Sequence, residues 1–239
     1  MKINKPKFWD KEIGLFSICL LPLTLIVKLL IILKKNFSKT VSFKVPIICV
    51  GNIYLGGTGK TPTSILVANE LLKFGKNPII LRKYYKNHED EHNLIKNNFK
   101  NLALEKNRAD GIARIENSKF DTVILDDGFQ DYNIKKDLSI VCFNKNQMLG
   151  NGLILPAGPL RDSLNSLKYA NIVLINGGKV KNFEKKILKI NKNLKIFYSH
   201  YKPTNLNRFK NKKLLALAGI GNPENFFKLL ENHKLDIKK

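Results

Sequence analysis

The chain has 239 residues, 42 of them basic and 19 acidic, for a formal net charge of +23. With 44% hydrophobic residues it can bury one core, or one core and a small appendage, which excludes an acidic disordered tail and a miniature stapled domain. Cys19, Cys49 and Cys142 are an odd set inside apolar runs with no CxxC spacing, so a reducing compartment is expected rather than a disulfide framework or a zinc site.

The first feature along the chain is Ile13 to Leu33, IGLFSICLLPLTLIVKLLIIL, 21 residues in which Lys28 is the sole charge. That is close to the ~20 apolar residues that cross a bilayer core. Pro22 interrupts it, lysines flank both ends, and no small-residue cleavage site follows before Lys34. An uncleaved membrane anchor over residues 1–40 is expected, spanning or lying in the interface.

After Thr40 the texture becomes short β-branched runs alternating with helical stretches, which is the pattern of a parallel α/β sheet. Val45 to Val50, Pro78 to Leu81, Thr122 to Leu125, Leu138 to Phe143, Ile172 to Ile175 and Leu214 to Leu217 are nearly unbroken apolar runs, as buried parallel strands should be. Helical spacing is seen over Thr61 to Phe74, and a second crossover helix is suggested over Arg108 to Ile115. Lys83 to Lys100 is polar and aperiodic, and predicts a surface loop with at most a short helix.

Between the first strand and the first helix stands GNIYLGGTGKTP, Gly51 to Pro62. Strand, glycine-rich turn, Lys-Thr and helix are the context of a phosphate-binding P-loop, although Tyr54 occupies the position where the strict pattern has glycine. Glycines let backbone amides curl around phosphate oxygens, Lys60 can reach the β- and γ-phosphates, and the Thr61 hydroxyl can ligate Mg²⁺. Pro62 is tolerated in the first helical turn, where its missing N–H has no intrahelical partner. Asp126 and Asp127 end another apolar strand in LDDGFQ. In an open α/β sheet they should share the carboxyl rim with the P-loop, one carboxylate for the metal and the other to orient Lys60 or a substrate hydroxyl. A guanine-reading NKxD is absent, since Asn144 to Gln147 reads NKNQ, and the signature lysine of ParA-like ATPases is replaced by Leu55.

Lysine supplies 37 of the 42 basic residues, a bias that AT-rich coding can produce, or else an attraction to polyanions. No basic run interleaved with aromatics and no nucleic-acid module signature appears, so an anionic membrane or a phosphorylated substrate fits as well as nucleic acid.

GNIYLGGTGKTP, LDDGFQ, GNGLILPAGPLR from Gly150 to Arg161 and AGIGNPENFF from Ala218 to Phe227 together resemble the tetraacyldisaccharide 4'-kinase family of lipid A biosynthesis, in that family's order. The resemblance implies a kinase that uses MgATP at the cytoplasmic face of the bacterial inner membrane. Its acceptor would be the 4'-hydroxyl of an acylated disaccharide 1-phosphate, among anionic lipids and with no obligate protein partner. It makes Gly56, Gly57, Thr58, Gly59, Lys60 and Thr61 the ATP site, and Thr61 and Asp126 the Mg²⁺ ligands. Asp90, Lys60 and Asp127 become catalytic, and Gln130, Arg161 and Asp162 contact substrate or support the site. Asp131 stands where the family has His, Asp162 where it has Glu, and Arg82 to Tyr84 reads RKY for RGY. Asp90, Glu91 and His92 take the place of the family's DEP, in a shorter loop, and Asp90 would be the carboxylate that accepts the hydroxyl proton. Arg82 and Arg108 are expected to pair with phosphates or with sheet-end carboxylates, and the four histidines to be surface residues.

The expected architecture is therefore a P-loop NTPase-like α/β fold, a mostly parallel sheet flanked by helices, with three segments. They are an N-terminal membrane-associated helix over 1–40, a P-loop kinase core over 41–205, and over 206–239 the start of a truncated C-terminal α/β lobe. The family continues past AGIGNP and carries there a histidine partner of the catalytic aspartate. The competing readings are a nucleotide- and membrane-binding fragment without complete catalysis, and a P-loop kinase acting on a soluble acceptor.

Overall fold

The computed structural model describes residues 5–86, 89–203, 205–218 and 223–238. A 3-10 turn over Lys7–Asp10 leads into two helices, α1 (Leu15–Cys19) and α2 (Leu21–Phe37). The apolar run is thus broken next to Pro22, which sits in the first turn of α2 where it leaves no lost hydrogen bond. Among the described residues no helix is long and apolar enough to cross a membrane.

Seven strands form the body: β1 (Ile47–Gly51), β2 (Pro78–Lys83), β3 (Leu102–Glu105), β4 (Thr122–Asp126), β5 (Leu138–Asn144), β6 (Ile172–Asn176) and β7 (Lys195–Ser199). Their order is β3-β2-β4-β1-β5-β6-β7, and every pairing is parallel. Helices α3 (Lys60–Lys73), α4 (Glu89–Asn98), α5 (Arg108–Glu116) and α6 (Lys181–Ile190) connect them. The side-chain alternation of β1 divides the core. Ile47 and Cys49 join Ile112, Phe183 and Ile187 beneath α5 and α6, while Val50 joins Ala68, Ile95 and Phe99 beneath α3 and α4. Helices therefore cover both faces, which is why the central strands read as continuous apolar runs.

Several expectations change. β3 and β7 were not foreseen, because both are partly exposed and lack an unbroken apolar run. Leu214 to Leu217 is outside the main sheet: β8 (Lys213–Leu215) pairs in parallel with β9 (Asp236–Lys238) in a separate two-stranded sheet, with α7 (Pro223–Asn232) between them in sequence. The expected loop over Lys83 to Lys100 contains the ten-residue helix α4, held by buried Ile95 and by His92, which is 4% exposed and stacks on Tyr84. His92 is thus no surface histidine. His88 lies outside the described residues.

Candidate functional site

β1 and β4 are neighbours in register, Val50 opposite Asp126, so the loop after β1 and the carboxylates after β4 meet at one edge. Gly51 permits the close approach: a Cβ there would lie 2.6 Å from Cβ of Phe129. Gly56, Gly57 and Gly59 then take φ of +77°, +62° and +86°, a left-handed turn that side-chain-bearing residues resist. Gly59 caps α3, and the loop amides and the start of a 14-residue helix point their partial positive charge into one concavity. The loop is held from outside. Asn52 Nδ2 donates to Thr58 Oγ1 at 2.7 Å, Asn144 Nδ2 donates to the Gly57 carbonyl at 3.2 Å, and a Cβ on Gly59 would collide with Asn176 and Tyr201.

The carboxylates divide the work. Asp126 is fully buried; it accepts from Thr61 Oγ1 at 3.2 Å and from Ser64 Oγ at 2.8 Å, and it pairs with Arg82. Arg82 also donates to Thr61 Oγ1 and pairs with Glu91 of α4. Asp127 has φ of +59°, which swings its carboxylate out of the strand toward Lys60, whose Nζ lies 4.0 Å away. Arg161 grips the same carboxylate through both terminal nitrogens, at 2.6 and 3.1 Å, a bidentate arrangement that fixes direction as well as charge. Burial pushes the Asp127 carboxyl up, but Lys60, Arg161 and Arg108 together outweigh it and hold the group below the ordinary carboxylate value.

Behind these groups Arg108 donates to the carbonyls of Asp126 and Asp127 at 2.9 and 3.0 Å and pairs with Asp131 at 2.8 Å. Both arginines left open between phosphates and carboxylates are bonded to carboxylates here. Gln130 Nε2 donates to the Asn52 carbonyl at 2.7 Å. Arg161 Nη2 donates to the same oxygen, so both brace the segment that enters the P-loop. Asp162 is buried and faces elsewhere, accepting from the Tyr132 hydroxyl and from the Ser163 amide. Asp90 is exposed in the first turn of α4, beside the Glu91 that ties this helix to Arg82. The structure thus gathers Gly56 to Thr61, Asp126, Asp127, Gln130 and Arg161 at one rim and places Asp90 and Asp162 outside that cluster.

Sequence reasoning missed Asn52, Ser64, Asn176 and Tyr201. Asn52 carried a weak signal, as a polar residue immediately after a buried strand; the others are brought in by strand order and helix phase. Burial pushes the Cys49 thiol up to about 11 and the Cys142 thiol up to about 12, which favours the protonated form of both.

A sequence profile of the family described as Tetraacyldisaccharide-1-P 4'-kinase matches residues 16–239. The chain belongs to this family. Among its relatives, the tetraacyldisaccharide 4'-kinase of Pelagibacter ubique is 41% identical over 244 residues, a match covering 99% of this chain and 76% of that protein. The enzyme of the same name from Ruthia magnifica is 35% identical, covering 91% of this chain and 76% of its own length. Among solved structures, LpxK from Aquifex aeolicus in complex with ATP superposes with a TM-score of 0.73 at 24% identity, over 94% of this chain and 80% of that one. That likeness bears on the fold, and it agrees with the parallel sheet and P-loop edge described above. Within this 4'-kinase family the matched range takes in α2, the P-loop and the paired aspartates. In the AGIGNP string, Gly219 to Asn222 lie outside the described residues.

Proposed function

We propose that the chain transfers the γ-phosphate of ATP to the 4'-hydroxyl of a tetraacyldisaccharide 1-phosphate, the lipid A precursor named by its family. The observation that carries this reading is the joint placement of Lys60, Asp127 and Arg161 at the mouth of the P-loop, together with the family membership.

The donor set fits MgATP. Among the described residues no cluster of three or more His, Cys, Asp or Glu is arranged to hold a metal by itself, and Mg²⁺ bound with a nucleotide needs none, since phosphates and water complete its shell. Thr61 Oγ1 and the Asp126 carboxylate, already in contact, would hold the ion, which would neutralise charge on the phosphates. The amides of Gly56 to Thr61 would bind the phosphate oxygens, and Lys60 would follow the charge that develops on the transferred group. Asp127 aims Lys60 and is itself fixed by Arg161. Asp90 is assigned as acceptor of the hydroxyl proton, presented by a helix that Glu91 anchors to Arg82. Arg161 and Asp162 begin the segment that would meet the lipid headgroup.

We further assign 1–40 as a membrane-associated element at the inner face of the bacterial inner membrane, 41–205 as the kinase core, and 206–239 as part of a second α/β lobe. Support for the first comes from the outward apolar side chains of α1 and α2, among them Leu15, Phe16, Leu25, Leu29, Leu30 and Phe37, each more than half exposed. The polar Ser17 and Thr24 of the same helices are buried.

The deciding measurement is γ-phosphate transfer to a tetraacyldisaccharide 1-phosphate in mixed micelles, with the 239-residue chain and its Lys60→Ala variant. Transfer should fall by about 100-fold or more in the variant, as for other transition-state charge donors. Undiminished turnover would remove Lys60 from the mechanism, and MgATP binding without transfer in the unmodified chain would replace a kinase by a nucleotide-binding protein.

A further inference from the structure

Beneath the C-terminal end of α2 lies a cavity of about 350 Å³ whose lining includes Lys35, Phe129, Tyr132, Lys136, Ser139 and Tyr169. It adjoins the entry to the P-loop at Phe129, which packs on Gly51, and extends from there to Ser139, away from the phosphate-binding glycines. Ser139 stands near the start of β5 and Asn144, which touches the P-loop, at its end, about 17 Å apart along the strand at ~3.3 Å per residue.

Two lysines, Lys35 and Lys136, line this cavity, and none of its lining residues is acidic. Lys35 reaches it because the docked stripe of α2 runs Thr24, Val27, Ile31 and Lys35. Thr24 bonds to the body, Val27 and Ile31 pack on buried Tyr54, Ile154 and Leu160, and Lys35 completes the stripe. Its Nζ stands 3.9 Å from the ring centre of Tyr169 and 5.2 Å from that of Tyr132. Lys136 comes from the connection between β4 and β5. Its Nζ donates to the carbonyls of Phe129 and Asp131 at 3.0 and 2.8 Å, which uses two of three donors and aims the ammonium. Among the described residues neither lysine meets a carboxylate at ion-pair distance. Asp131 is taken by Arg108 and Asp162 by Tyr132 and Ser163. Burial presses the Lys136 ammonium toward its neutral form; Cys49 and Asp131 oppose it, and Arg108 and Lys35 add a smaller push in the same direction as burial. An anion between the two lysines would relieve that pressure.

The position narrows the anion. The cavity sits under the helix whose outer side is apolar, so a group held there lies close to any lipid surface that helix meets. We propose that this cavity is a second phosphate-binding site, taking a phosphate carried on a lipid headgroup between Lys35 and Lys136, with the tyrosine rings walling the group that bears it. Two sources share this chemistry: the 1-phosphate of the acceptor disaccharide, and a phospholipid of the bilayer. The site stands apart from the kinase reading, and the first source alone rests on it.

The test titrates three probes into the full chain with the P-loop saturated by a non-hydrolysable MgATP analogue: glucosamine 1-phosphate, inorganic phosphate, and phosphatidylglycerol vesicles. Each is repeated with Lys35→Met, Lys136→Met and the control Lys34→Met, whose side chain is exposed one residue away. Saturable binding should weaken about 10-fold in each pocket variant, the loss of one charge-assisted bond, and should survive in the control. Glucosamine 1-phosphate binding more tightly than inorganic phosphate supports the site and assigns it to the substrate. The same lysine dependence for vesicles alone supports it and assigns it to the bilayer. Loss of equal size in Lys34→Met, or no dependence on either pocket lysine with any probe, overturns the proposal. If Lys136→Met fails to fold, Lys35→Met decides. Failure of the kinase reading is seen separately, in the transfer assay, which leaves this binding untouched.

Discussion

The carboxyl edge of the main sheet and the N-terminal helices are built on opposite plans. At the sheet edge the apolar side chains of β1, β4 and β5 are buried except for the partly buried Ile48 and Leu138, and charge is displayed in crossed pairs: Lys60 and Arg161 on Asp127, Arg82 on Asp126. In α1 and α2 the buried residues are the hydroxyl-bearing Ser17 and Thr24, while Lys28, Lys34 and Asn36 are exposed. Ser17 accepts from Asn151, and Thr24 bonds to the backbone of Ile154 and Ala157, while leucines and isoleucines line the outside. An apolar surface of this extent, on helices that already have a docked side, is what the proposed membrane association would use. The segment from Gly150 to Arg161 joins the two plans. Asn151 to Ala157 holds the helices, the Pro159 carbonyl accepts from Leu55 of the P-loop, the Arg161 amide donates to the Ile53 carbonyl, and the Arg161 side chain holds Asp127.

The sheet edge is tested most severely at Asp127. Asp127→Asn keeps the shape and removes the charge that orients Lys60 and Arg161, and transfer should drop roughly 100-fold, as when a preorganised electrostatic group is lost. Its acid behaviour follows from linkage. The folded pKa lies below the ordinary 3.8, so this carboxylate contributes stability above about pH 4 that is lost as pH falls through the folded value. Melting curves from pH 7 to 3 should therefore show the wild type losing more stability than Asp127→Asn, with no difference in slope between pH 5 and 8. Parallel acid limbs would mean that the three cations do not hold Asp127 as the geometry requires.

The helices are tested by the reverse substitution, charge placed on the apolar side. Leu25 and Leu29 are 64% and 55% exposed, so Leu25→Asp with Leu29→Asp should leave the melting temperature nearly unchanged. It should nevertheless cut co-sedimentation with anionic vesicles by about 100-fold, given ~1.5 kcal/mol or more for each leucine removed from an apolar phase. The same variant should still turn over a water-soluble acceptor, if one is used. Unaltered vesicle binding would transfer the membrane contact to the basic surface.

How much of this was legible in the sequence depended on the range over which each signal acts. The P-loop and the acidic end of β4 are local strings with local causes, a turn that needs glycine and a strand that ends in charge, and the strand, turn and helix lie where those strings put them. β3 and β7 are edge strands covered incompletely on their faces, so Leu102–Glu105 and Lys195–Ser199 lack the uninterrupted apolar run that betrays an inner strand. α4 hides because His92 and Ile95 alone are buried among its ten residues. The run at Leu214 is a strand within the segment expected to begin a second lobe, but its partner β9 was not legible, because pairing partners are not written in a strand's own sequence. For the same reason the bracing of Asp127 by Arg161, 34 residues away, and of Asp126 by Arg82, 44 residues away, emerged with the register that sets Arg82 opposite Asp126.

The smallest expected effect lies at the joint between the two plans. Thr24 Oγ1 donates to the Ile154 carbonyl at 3.3 Å and accepts from the Ala157 amide at 3.1 Å, and the side chain is 6% exposed. Thr24→Val preserves the shape and helix packing but strands the Ala157 amide, which costs about 1–3 kcal/mol when it remains buried, while the Ile154 carbonyl keeps its bond from the Gly158 amide. Thr24→Ser keeps the hydroxyl and should recover most of the loss, leaving the modest cost of one missing methyl. If the joint transmits the position of the helices to the P-loop through Pro159 and Arg161, the valine variant should also raise KM for the lipid acceptor more than it lowers kcat. A lower melting temperature with unchanged KM would restrict Thr24 to holding α2 in place.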